Sequence, residues 1–125
     1  MSDLRKCIYT SLIRNVTAVN GALMAVSSDD FLDVGMFDET FELVGWDVDL
    51  CVRSAMKGLS SVYTPYASAR MAKDPLCIED ADEANRNRCC DVFRKIKKNG
   101  DPYFSPNYDR RFTYPQLLIK PIDNP

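Results

Sequence analysis

The chain contains no histidine at all. That gap removes every mechanism built on an imidazole base, a Ser-His or Cys-His pair, or a histidine metal ligand. No apolar run approaches the roughly 20 residues that cross a bilayer, and the N-terminus lacks the charged-then-apolar layout of a secretion signal. A chain without a membrane span, located in the cytoplasm, is therefore expected. Basic clusters are scarce: Arg94 to Lys98 and Arg110-Arg111 stand alone in a chain of net charge -2 and pI near 5.1. Phosphate-backbone binding draws its affinity from clustered Lys and Arg, so no nucleic-acid partner is expected. The first cluster reads instead as a solvated helix end. Regular cysteine spacing is missing too: five cysteines, an odd count, favour a reducing compartment over a disulfide scaffold.

What is present is enough apolar material for one core, 46% of 125 residues, and residues 1–125 read as a single domain. From Asn15 to Val26 the run is apolar and β-branched in its first half, a buried strand interrupted at Asn20-Gly21, where a bulge, a turn or a close backbone approach is expected. Ser27 or Ser28 then caps a short helix with Asp29 and Asp30 in its first turn and Gly35 as its stop. Met36 to Asp47 has no clean period and reads as a structured loop. Val48, Cys51, Val52 and Ala55 mark one buried face of a helix that starts near Trp46 or Asp47 and stops at Gly58. Ser61 to Thr64 reads as a short strand ended by Pro65. A longer helix is expected over about Glu79 to Lys98, with Asn85 the weak member of a face formed by Ala81, Cys89, Val92, Phe93 and Ile96. The proline-rich segment 101–125 reads as an extended strap over the core. The order is that of an α/β fold with a small mixed sheet and about three helices.

The chemistry concentrates in Gly45-Trp46-Asp47-Val48-Asp49-Leu50-Cys51-Val52-Arg53. A glycine turn delivers the Asp47 carboxylate to a helix N-terminus, where it could take a proton from a substrate hydroxyl or simply complement the helix dipole. Asp49 and Arg53, at i and i+4, read as an ordinary surface pair worth a few tenths of a kcal/mol.

Val19 to Arg70 resembles the second half of bacterial family 2 glycosyltransferases, inverting enzymes of the GT-A fold. The matching elements run in that family's order: Gly21-Ala22 on a strand, then Phe31, Gly35, Phe37, Asp38 and Glu39, then the helix Asp47 to Arg53, then Tyr63-Thr64-Pro65. Gly100-Asp101-Pro102-Tyr103-Phe104-Ser105-Pro106-Asn107 is similar to an element that closes many polysaccharide and rhamnan-type members. The resemblance implies that Asp47 is the catalytic base, deprotonating the acceptor hydroxyl for in-line attack on the anomeric carbon. It implies further that Asp49 and Arg53 shape the substrate site, that Trp46 offers a flat face to a sugar ring, and that Asn20 and Gly21 floor the acceptor pocket. The chain departs from the family in carrying Trp46 where many relatives have Glu or Asn, and Ala69-Arg70-Met71-Ala72 where a histidine often follows the last strand.

A complete relative would use Mn²⁺ or Mg²⁺ with a nucleotide sugar bound on an N-terminal Rossmann-like half. That half is not recognisable here, and Asp47-Val48-Asp49 does not read as the metal motif because it lies within the acceptor-side helix. No metal ligand or cofactor of this chain's own is expected. The resulting expectation is a partial GT-A-like fold: the acceptor and base half of a hexosyl transferase, inactive alone, with weak affinity for a glycan acceptor or nucleotide sugar. Two alternatives stand beside it. One is a small self-associating protein, a homodimer that covers an orphaned sheet edge; the other is a stand-alone glycosyltransferase.

Overall fold

A computed structural model describes residues 11–72, 78–103, 108–109 and 116–117. Along the chain run β1 (Arg14–Val16), α1 (Ser28–Val34), α2 (Trp46–Met56), β2 (Ser61–Tyr63), a 3₁₀ turn (Ile78–Asp80), α3 (Glu83–Asn99), β3 (Tyr108–Asp109) and β4 (Gln116–Leu117). The architecture is α/β, with three helices and two antiparallel strand pairs among the described residues.

Local signals set most boundaries. Ser27 caps α1, its Oγ accepting the Asp30 N–H at 3.1 Å, with Asp29 and Asp30 in the positive first turn. At the other end Gly35 sits at φ 93°; its N–H bonds Leu32 O and the Met36 N–H bonds Phe31 O, the two-bond close of a Schellman motif. The same pair of bonds ends α2, from Gly58 N–H to Ala55 O and from Leu59 N–H to Ser54 O, with Gly58 at φ 82°.

The strand expected over Asn15 to Val26 is much shorter. β1 pairs with β2 only from Arg14 opposite Tyr63 to Val16 opposite Ser61. The partner decides this, because β2 begins directly after the close of α2 and offers no ladder beyond Ser61. Past Val16 the chain turns, with Asn20 Oδ1 accepting the Ala22 N–H at 2.8 Å, the side-chain mimic of a backbone turn. Both strand pairs are antiparallel, where a mixed sheet was expected. Of the strap, residues 101–103 are described, and β3 and β4 pair as Tyr108 opposite Leu117 and Asp109 opposite Gln116; the remainder lies outside the described residues. Its start is anchored, since Thr17 Oγ1 donates to Asp101 Oδ1 at 2.5 Å.

The long helix also starts later than its periodicity suggests. Ile78–Asp80 form a separate 3₁₀ turn, and α3 begins after Asp82, whose carboxylate accepts the Asn85 N–H at 2.7 Å. A carboxylate cap overrides an apolar period that runs straight through it. α3 lays Cys89 and Val92 against Phe41, with Val44, Trp46, Val48, Val52, Ile78 and Ile96 packed around them. Asn85 is buried among these residues and fully bonded: Oδ1 accepts from Leu43 N–H (3.1 Å) and Val44 N–H (3.2 Å), and Nδ2 donates to Val44 O (2.9 Å). The weak member of the helix face is the fastening of the loop that precedes α2.

Gly45, which caps α2, carries two constraints. Its φ of 95° suits glycine alone, and an added Cβ would lie 2.5 Å from Cys89 Sγ and 3.2 Å from Phe41. Gly58 shares the positive φ but faces open space. Gly58→Ala is therefore expected to cost about 1–2 kcal/mol for the left-handed backbone, and Gly45→Ala about 2–5 kcal/mol once overpacking is added. Urea unfolding midpoints of the two variants, at unchanged slope, check the difference.

Candidate functional site

The loop Leu43 to Gly45 delivers α2 with Trp46 and Asp47 in its first turn. Asp47 is half-buried. Its Oδ2 accepts the Gly21 N–H at 2.8 Å and its Oδ1 the Val48 N–H at 2.9 Å. Each oxygen of an ionised carboxylate has two acceptor directions, so this arrangement orients the group and leaves one direction on each oxygen uncommitted by these two bonds. Gly21 reaches the carboxylate because it has no side chain. An added Cβ would fall on the six-membered ring of Trp46, with Cη2, Cζ3 and Cζ2 all within 2.8 Å.

Trp46 is half-buried against the core cluster. The Phe37 ring meets it edge-on at 5.0 Å and 80°, and Phe31 meets Phe37 at 4.9 Å and 68°. These aromatic contacts lock α1, the following loop and α2 together. Asn20, Gly21, Trp46 and Asp47 thus come together, with Asn20 exposed at the rim and its Oδ1 already accepting from Ala22.

Asp49 and Arg53 point elsewhere, and they are not an ordinary surface pair. Asp49 is 7% exposed and accepts Arg53 Nε at 2.7 Å. The remaining guanidinium nitrogens donate to Val34 O (2.9 Å) and Met36 O (2.7 Å), carbonyls at the C-terminal end of α1, where a cation is favoured. Lys57 repeats the pattern, donating to Asp33 O and pairing with the Asp33 carboxylate at 2.8 Å. One fork of donors therefore joins α2 to α1, a geometry lysine could not reproduce.

Beside this joint, Asp38 accepts both the N–H and the hydroxyl of Thr40. Chiefly these bonds, with smaller help from Arg53 and Arg88, hold its carboxyl below the ordinary carboxylate value. Behind Gly45, burial pushes the Cys89 thiol up, and the nearby Cys90 and Asp47 push in the same direction. Asn85 and Cys89 were not foreseen as parts of the site's support. The available signal was a polar residue at a core position of a helix face, which in a folded chain must find partners.

A hollow of about 450 Å³ lies apart from these residues. It is lined mainly by Val16, Val52, Met56, Leu59, Ile96 and Tyr103, and none of the six candidate site residues borders it. Among the described residues no three His, Cys, Asp or Glu side chains converge as metal ligands, and Asp49 is committed to Arg53. Among the same residues, no helix is long and apolar enough to cross a membrane.

Over 103 residues the chain is 31% identical to the O-antigen biosynthesis protein RfbC of Myxococcus xanthus, covering 79% of this chain and 8% of that protein. It is a distant relative of a segment of that protein, spanning about 8% of its length. No protein-family profile matches the chain, and no solved structure does.

The single tryptophan of the chain, Trp46, reports on the site. Gly21→Ala is expected to push the indole off its seat and break the contact with Asp47. The readouts are a changed tryptophan emission maximum and loss of near-UV dichroism, with far-UV dichroism of the helices retained. An unchanged tryptophan spectrum would show that Gly21 does not pack on the ring.

Proposed function

We propose that this chain is a glycosyltransferase-derived domain of surface-polysaccharide biosynthesis. In this reading it is the acceptor and catalytic-base half of an inverting, GT-A-type family 2 nucleotide-sugar transferase. The observation that carries the reading is Asp47: a carboxylate presented by a left-handed glycine turn, oriented by the Gly21 N–H at 2.8 Å, and set beside an aromatic ring. The kinship with a segment of a protein named for O-antigen biosynthesis supports the same theme.

The chemistry proposed for this chain is acceptor activation. An acceptor hydroxyl donates to the uncommitted direction of an Asp47 oxygen. The proton passes to the carboxylate as the hydroxyl oxygen attacks the anomeric carbon in line, and the nucleoside diphosphate leaves from the opposite face with its bonding pair. Fixing both carboxylate oxygens through backbone N–H groups keeps the base aimed without a reorganisation cost at the moment of attack. Trp46 and Gly21 form the wall against which the sugar sits, Asn20 offers its side chain at the rim, and Asp49 with Arg53 shapes the site by holding α1 against α2. The donor is bound by a different part of the assembled enzyme, so the chain alone performs no transfer.

A titration of the ¹⁵N-labelled chain with methyl rhamnosides and methyl hexosides, and separately with UDP- and dTDP-sugars, tests this. Shifts are expected at the Gly21 amide, the Trp46 indole N–H and Asn20, with no sugar transfer. Asp47→Asn is expected to weaken acceptor binding by about tenfold, the worth of one hydrogen bond to a charged group. Absence of any shift at millimolar sugar would end the reading, and transfer by the isolated chain would replace it with that of a stand-alone enzyme.

A second reading, self-association, is favoured by the β1–β2 ribbon. Leu12, Ile13 and Val62 are 56%, 59% and 49% exposed on or beside it. Exposed apolar side chains gathered on one ribbon are what self-association covers. On this reading light scattering at tens of micromolar returns the mass of a dimer, and Val62→Lys returns it to a monomer; a strict monomer in the unaltered chain contradicts it.

A further inference from the structure

We propose that Asn85, on α3, is a positioning residue for the Asp47 carboxylate, an inference that rests on reading Asp47 as the group that meets the acceptor. The buried stripe of α3 otherwise reads Cys89 and Val92, with buried Ala81 just before the helix. A leucine would continue it and fill a similar space, yet an amide stands there at 2% exposure. Burying an amide is costly unless its hydrogen bonds are made, and here they are spent almost wholly on one loop. Leu43 N–H and Val44 N–H enter Oδ1, and Nδ2 enters Val44 O. The carboxamide serves the loop as a strand partner would, satisfying donors and acceptor together.

From that anchor to the carboxylate no link is left loose. The thiol of Cys89, one turn further along α3, also donates to Val44 O at 3.3 Å, and its sulfur occupies the space a Gly45 side chain would need. Gly45 is held at φ 95°, and its carbonyl accepts the Asp49 N–H at 2.9 Å, closing the first turn of α2. Two residues past Gly45, Asp47 reaches Gly21. The direction in which the carboxylate leaves the helix is set by how the loop hangs from Asn85. The negative charge of Asp47 is also felt at Cys89, where it helps raise the thiol, so the support and the site are electrostatically in touch.

The test uses the intact, ¹⁵N-labelled 125-residue chain. The unaltered protein is compared at neutral pH with Asp47→Asn at the Gly21 amide, the Val44 amide and the Asn85 side-chain N–H₂ group. All three signals are expected to shift between the two proteins. A Gly21 signal that moves while Asn85 and Val44 stay unchanged would overturn the proposal. Asn85→Asp keeps the acceptor oxygen and loses the donor; Asn85→Leu loses both. In each, Gly21 amide exchange is expected to speed up at least tenfold while Ala55 and Met56, in the last turn of α2, change less than twofold. Equal acceleration everywhere, as a merely structural residue would give, or an unchanged Gly21, would overturn the proposal; should both variants fail to fold, the comparison with Asp47→Asn decides.

These readouts need no sugar, so the two claims fail separately. If Gly21 responds to Asn85 but no sugar binds, the functional reading falls alone. If sugars bind through Asp47 while Gly21 ignores Asn85, the positioning role falls alone.

Discussion

One hydrogen bond organises the site: the backbone N–H of Gly21 donated to the carboxylate of Asp47, across 26 positions of sequence. It can form only because Gly21 brings no side chain to a place already filled by the Trp46 ring. The segment after β1 is held to α2 by this bond and this contact, in place of a longer ladder. A carboxylate bonded by two backbone N–H groups has a fixed direction, which complementing a helix dipole alone does not require.

Around that bond the structure divides its two neighbouring carboxylates between two tasks. Asp47 faces the Gly21 turn, while Asp49, on another side of the same helix, is buried and directs Arg53 onto the carbonyls at the end of α1. Removing Arg53 would leave the buried Asp49 carboxylate without its partner, a loss of about 1–3 kcal/mol for a pair whose arginine is still partly in solvent. The rigidity of the α1–α2 joint, reinforced by the Phe31, Phe37 and Trp46 contacts, gives Asp47 a fixed frame. The loop behind it is fixed in turn by Asn85 and Cys89, so the support reaches the carboxylate from both helices that flank α2.

Much of this was legible in the residues, and the division follows the range of the interactions. Ser27 or Ser28, Gly35 and Gly58 were readable as a cap and stops, and Gly45 as the turn into α2, because each acts within about one helical turn of itself; the period of α2 placed the helix but not its buried face, since Asp49, Leu50 and Cys51 are buried and Ala55 is exposed. Gly21, Trp46 and Asp47 were singled out together, and the close approach expected at Asn20-Gly21 is there. What was not legible depends on partners distant in sequence. The extent of β1 is dictated by how soon β2 begins after α2; the start of α3 turns on which acidic residue caps it, Asp82 rather than one nearer Glu79. Arg53 looked like a surface partner for Asp49 because nothing local announces that the α1 carbonyls lie within reach. Asn85 looked like a flaw in an apolar stripe because the loop it fastens lies some forty residues earlier.

The central claim, that the Asp47 carboxylate is held by the Gly21 amide, can be read directly as a scalar coupling transmitted through the hydrogen bond. The coupling lies between the Gly21 nitrogen and the Asp47 carboxyl carbon in a ¹³C,¹⁵N-labelled sample at neutral pH. The account predicts a resolved cross-peak between these two nuclei, with the Gly21 amide protected from exchange. No cross-peak, together with a Gly21 amide that exchanges as fast as an unstructured one, would contradict it.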